Sequence, residues 1–247
     1  MKRKAYTIAE AMVTMAIIGI VASLTIPTFV AAYRKHVYAN SLATAVANFE
    51  TGMTTMMAKD GVDDLLDTEA WSKIKSGTNY SLTNNSSNTV IENFMKEIRK
   101  TLVLEGYNKT LTKYRALQVP EMAPWVTYGS VIRFNARNGV EYMIEVSNVS
   151  EAREKSELEV LAQGTNLQNV AARVLIDVNG DSLPNIIGRD LFWYELGTDG
   201  RLYPHYGKDF CAFSGNSCGV PKTKCAIEKD GEYCSAYLKE NGYKMDY

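Results

Sequence analysis

The chain has 247 residues, 46% of them hydrophobic and 22% charged, with a formal net charge of -1. That length suffices for one globular domain plus an anchor and is short for two large domains with separate cores. The near-neutral charge gives no basic footprint for nucleic acid as main partner, and no G-x-S-x-G, H-E-x-x-H or phosphate-binding glycine loop points to an enzyme.

Lys2, Arg3 and Lys4 precede a run from Ala11 to Ala32 that contains no charged residue. As a helix rising 1.5 Å per residue this run reaches roughly 33 Å, enough to cross a hydrocarbon core about 30 Å thick. The basic cluster then stays cytoplasmic, and everything after Tyr33 lies outside the cytoplasm. A cleaved secretory signal is the weaker reading, because its apolar core has about 7–15 residues and this run is longer.

Past the run, Tyr38, Leu42, Ala45, Phe49, Met53 and Met56 recur at steps of three and four. This spacing predicts one apolar helical stripe, with Lys35, Asn40, Thr44, Asn48 and Lys59 largely off it and Gly61 ending it. Pro27 lies inside the resulting long helix and is expected to kink it by removing a donor and crowding the preceding turn.

Residues 60–88 read as a polar connecting loop. Val90, Ile91, Phe94, Met95, Ile98 and Leu102 predict a second amphipathic helix, capped by Asn88 or Thr89 and stopped by Gly106. Val131, Ile132 and Phe134 before Asn138-Gly139, and Tyr142, Ile144 and Val146 after it, predict a β-hairpin. Two more strands are expected at 174–176 and 191–194, the latter turning at Thr198-Asp199-Gly200 into 201–203. The expected fold is α+β: a long amino-terminal helix, transmembrane in its first half and amphipathic in its second, packed against an antiparallel sheet head with a cysteine-containing tail.

The stretch Ala5-Tyr6-Thr7-Ile8-Ala9-Glu10, continuing to Ile26-Pro27, resembles the processing signal of type IV prepilins and type II secretion pseudopilins. A short basic leader, a small residue, an aromatic residue with Thr beside it, and a glutamate fifth after the cut carry the resemblance, which covers about the first thirty residues. Ala5 stands where the family usually has Gly, Tyr6 where it has Phe, and Ile8-Ala9 where it has Leu-Ile. The resemblance implies a leader over 1–5, a long helix over 6–60 with its membrane part at about 11–32, and an extracytoplasmic head over 61–247. It implies cleavage between Ala5 and Tyr6 and methylation of the Tyr6 amine by a prepilin peptidase. Glu10 and Pro27 would serve assembly, Glu10 by pairing with the Tyr6 amine of a neighbouring subunit. The partners implied are other pilin or pseudopilin subunits, the peptidase, an inner-membrane assembly platform and membrane lipid. The location implied is the bacterial inner membrane, single-pass with a cytoplasmic amino terminus, and the filament after assembly. A carboxylate near an apolar span costs roughly 2.5–3.5 kcal/mol at the helix centre and less near the interface, so Glu10 calls for a compensating partner. The competing reading is a single-span anchored domain that binds an external ligand without assembling.

Asp177, Asn179 and Asp181 place oxygen-bearing side chains at alternate positions around Gly180, which suits calcium. Gly180 comes two places early for an EF-hand and no Glu closes the loop, so a polar turn between Ile176 and Leu191 is the plainer reading. Cys211, Cys218, Cys225 and Cys234 are separated by six, six and eight residues, unlike paired zinc-site spacing. Outside the cytoplasm they are expected to form disulfides, with three pairings open. His36 and His205 are the only histidines and read as solvated surface residues.

Overall fold

The computed structural model describes residues 7–75, 96–100, 102, 104–108, 113–114, 123–124, 130–136, 138–146, 170–180, 182–205, 207, 222–226, 229 and 231–247. The chain divides into two compact units, residues 1–37 and 38–247.

Helix α1, Ile8–Asp60, supplies residues to both units, and its helical assignment continues through Pro27. Within the second unit its stripe is as the spacing predicts: Leu42, Ala45, Phe49, Met53 and Met56 are buried, together with Ala39 and Val46. Asn40, Thr44, Asn48 and Lys59 are exposed. Gly61 ends the helix in a left-handed conformation (φ 69°), and the Val62 N–H returns to the Met57 carbonyl at 3.1 Å. That six-to-one bond is the Schellman stop, which only a residue tolerant of positive φ can make cheaply.

The stretch after Gly61 departs from the loop expected there. A 3-10 turn at Leu65–Asp67 and helix α2, Glu69–Lys75, bury Leu65, Leu66, Ala70 and Trp71. Side-chain caps hold these short pieces. Asp64 accepts from the Leu66 N–H at 2.8 Å, Thr68 Oγ1 from the Trp71 N–H at 3.4 Å, and Asp60 from the Glu69 N–H at 2.8 Å. Of the second predicted helix, residues 96–100 are helical, with Ile98 and Leu102 buried; its proposed caps Asn88 and Thr89 lie outside the described residues. Gly106 does not stop that helix. It sits inside strand β1, Leu104–Asn108, where the register to the neighbouring strand shifts.

The other strands are β2 (Lys113–Tyr114), β3 (Ala123–Pro124), β4 (Ser130–Ala136), β5 (Glu141–Val146), β6 (Val170–Asp177), β7 (Leu191–Gly197) and β8 (Leu202–Pro204). Six of them form one sheet in the order β1-β4-β5-β6-β7-β8, every neighbour antiparallel, and β2 and β3 pair separately. The fold of the second unit is therefore α+β. The Asn138-Gly139 hairpin joins β4 to β5 as expected, with Gly139 at φ 79°.

Strand alternation gives the sheet two different faces. Phe134, Tyr142, Ile144, Val174, Ile176, Phe192 and Tyr194 share one hydrophobic cluster with the α1 stripe. Phe49 and Tyr142 stack at 5.3 Å between ring centres, and the Tyr142 hydroxyl donates to the Ala45 carbonyl at 3.1 Å. The opposite face carries a small cluster of Met143, Leu175 and Leu191 with Ile187 and Trp193 packed on it. Arg133 pairs with Glu141 at one end of that cluster. At the other, Glu195 accepts from Arg173 at 3.2 Å and contacts His205 Nδ1 at 2.9 Å. His205 is thus buried and partnered, not solvated. A polar face covered by folded chain takes in its charges as pairs, because an unpaired one is costly to bury.

At the carboxyl end, helix α3, Cys234–Glu240, is joined to the segment before it by a Cys225–Cys234 disulfide. Cys211 and Cys218 lie outside the described residues. The tail ends in Tyr247, whose hydroxyl donates to the Gly188 carbonyl at 2.5 Å.

Candidate functional site

The amino-terminal unit presents apolar side chains on every side of its helix. Ile8, Met12, Met15, Ile17, Ile18, Ile20, Leu24 and Phe29 are each more than half exposed, and at 100° per residue they cover the full circumference. Among the described residues this is the one helix long and apolar enough to cross a membrane. A single protein partner would cover one stripe, whereas an all-round apolar surface suits a solvent that is itself apolar.

Glu10 sits at the start of this helix in a capping box with Thr7. Its Oε2 accepts from the Thr7 N–H at 2.8 Å and from the Thr7 hydroxyl at 2.9 Å, while the Thr7 hydroxyl oxygen accepts from the Glu10 N–H at 3.2 Å. The T-x-x-E pattern of Thr7 to Glu10 carried this in the sequence, where Glu10 was weighed for assembly and for a plain interfacial position only. Ala5 and Tyr6 lie outside the described residues. The Thr7 amide belongs to the Tyr6-Thr7 peptide, so cutting the Ala5-Tyr6 bond leaves the capping box intact.

The second candidate is the loop between β6 and β7. Asp177, the last residue of β6, is fully buried, and its Oδ1 accepts from the Asn179 N–H at 3.1 Å. Asp190, also fully buried, accepts from the Asn185 N–H at 2.8 Å and the Ile186 N–H at 2.6 Å. Asn179 donates its side-chain amide to the Ser182 carbonyl at 2.7 Å and also bonds the Asp190 carboxylate. Burial, together with the Asp190 charge, pushes the Asp177 carboxyl up to about 8, and burial raises Asp190 as well. Asn185, 4% exposed, is in the left-handed region at φ 52°, which asparagine tolerates better than most residues.

Four buried oxygens in this region have no hydrogen-bond donor among the described residues: Asp177 Oδ2, Asn179 Oδ1, Asn185 Oδ1 and Glu141 Oε2. Glu141 is the cross-strand partner of Asp177. Of the residues expected to hold calcium, Asp177 and Asn179 come together here, and Asp181 lies outside the described residues. Asp190 and Asn185 were missed as ligand candidates, although an acid and an amide closing the same loop were the available signal. No group of three or more His, Cys, Asp or Glu side chains forms a metal-ligand set among the described residues. The loop's donors are instead two carboxylates and amide oxygens.

No family model, no curated protein and no solved structure matches this chain.

Proposed function

We propose that this chain is a structural subunit of a type IV pilus or type II secretion pseudopilus, cut after Ala5 and assembled through its amino-terminal helix. The observation that carries the reading is the processing-like signal Ala5-Tyr6-Thr7 with Glu10, set directly before a helix that is apolar all round to Ala32 and continues into the core stripe of the folded unit. Glu10 alone does not carry it, since capping by itself accounts for a glutamate three places after Thr7. The small residue, the aromatic residue and the uninterrupted apolar run, all in register, add what capping does not explain.

In this mechanism the chain does no chemistry of its own. The peptidase frees the Tyr6 amine, which takes a positive charge near the depth of Glu10 on the next subunit. Pairing there neutralises both groups in a low dielectric and sets the axial step between neighbouring helices. The exposed apolar side chains exchange lipid for the helices of neighbours. The capping bonds to Thr7 both use Oε2, so the same carboxylate serves its own helix start through one oxygen and the neighbouring amine through the other.

The test is incorporation of Glu10→Leu into sheared filaments, or its crosslinking to other subunits, at matched membrane levels. Insertion needs only apolar length and should persist; incorporation should be lost. Normal incorporation would return the chain to the class of single-span anchored domains.

A further inference from the structure

We propose that the β6–β7 loop is a calcium-class cation site built from Asp177, Asn179, Asn185 and Asp190, with Glu141 beside it on β5. This inference stands apart from the assembly reading and concerns only the folded unit.

The charge balance comes first. Glu141, Asp177 and Asp190 are buried carboxylates, at 1%, 0% and 0% exposure, and Arg133 is the one cation bonded among them, through Glu141. Two like charges are left close enough to repel each other. Buried carboxylates at such separation call for a proton or a cation.

The unmet bonding capacity points to the cation. The oxygens lacking donors are two from carboxylates and two from side-chain amides, all acceptors. Asn179 is held with its amide nitrogen toward the carbonyls of Ser182 and Leu183, at 2.7 and 3.4 Å, which fixes its oxygen as the unmet end. One proton shared by two aspartates would leave both asparagine oxygens unmet, whereas a hard cation with six to eight oxygen ligands uses them. Oxygen-only donors favour calcium over softer metals. Its tolerance of irregular shells favours it over magnesium, which demands a near-ideal octahedron.

The loop is also held in shape from outside. A Cβ on Gly180 would lie 2.9 Å from the Gly139 carbonyl of the β4–β5 turn, and one on Gly188 would lie 2.8 Å from Cys234 Sγ. Neighbouring chain thus presses on both ends of the loop, and the Cys225–Cys234 cross-link fixes one of those neighbours. Such a site loses little ordering entropy when a cation enters.

The experiment uses the full chain in detergent after chelator treatment, followed by thermal unfolding and calorimetric titration with calcium chloride, and with magnesium chloride at matched ionic strength. Calcium should raise Tm saturably, by about 5 °C or more at a hundredfold excess over Kd, with magnesium weaker. Asp177→Asn removes one of the repelling charges, so it should fold with an unchanged or higher metal-free Tm and lose the calcium increment. Asn185→Gly keeps the left-handed backbone and removes one ligand oxygen, and should weaken Kd about tenfold or more. An unchanged wild-type Tm with no calorimetric binding would overturn the proposal, as would a calcium increment that survives in both variants.

Discussion

A glutamine at position 10 separates two jobs that the wild-type carboxylate performs together. Gln can make the reciprocal capping bonds to Thr7, because the capping box accepts either Glu or Gln, but it carries no charge. Glu10→Gln should therefore keep the helix start and membrane level of the wild type while incorporating into filaments poorly. Wild-type incorporation of Glu10→Gln would mean that capping is the whole role of this side chain. At Asp177 the expectation concerns pH. Its folded-state pKa of about 8 lies above the unfolded value of about 3.9, so the folded state binds the proton more tightly. In chelator, its contribution to stability is present below pH 4 and is lost as pH rises through 8, with Asp190 facing it, Arg133 opposing the shift, and Glu141 paired to Arg133 alongside. Denaturation midpoints in chelator should fall between pH 5 and pH 8.5, and Asp177→Asn should flatten the slope. A midpoint that rises over that range would contradict the burial of an unmet carboxylate there.

Among the elements, those with a long period were readable and those defined by local caps were not. The α1 stripe repeats over five turns, so each buried position reinforces the next, and Gly61 punctuates it. Phe49, fully buried against Tyr142, is expected to lose about 3–5 kcal/mol of stability on change to Ala, read as a lower denaturation midpoint at unchanged m-value. The 3-10 turn and α2 were hidden in a polar stretch because single side chains, Asp60, Asp64 and Thr68, hold them instead of a period. Strand β1 escaped notice because Gly106 reads as a helix stop when its bulged pairing to β4 is not known. Glu141 and His205 have polar identities that suggest solvent, and only the second face of the sheet explains why both are buried in pairs. The cross-link of Cys225 to Cys234 closes a short loop and is worth about 2–4 kcal/mol. Peptide mapping without reductant should recover these two cysteines in one linked fragment; finding both alkylated in exported protein would contradict it.

At the scale of the whole molecule, the membrane-length helix and the α+β class followed from composition and period, because burial and lipid solvation act on many residues at once. The loop site was half readable. Asp177 and Asn179 announce themselves by alternation, but Asp190 and Asn185 join them only through the fold of the β6–β7 connection, which sequence spacing does not reveal. The account of function joins that helix to a processing signal of six residues, Ala5 to Glu10, and everything said of assembly depends on the cut. The most direct measurement is the intact mass and amino-terminal sequence of the protein isolated from membranes of cells that contain the peptidase. The account predicts a chain beginning at a methylated Tyr6 with its apolar helix retained. A chain that still begins at Met1, or one that begins after Ala32, would contradict it.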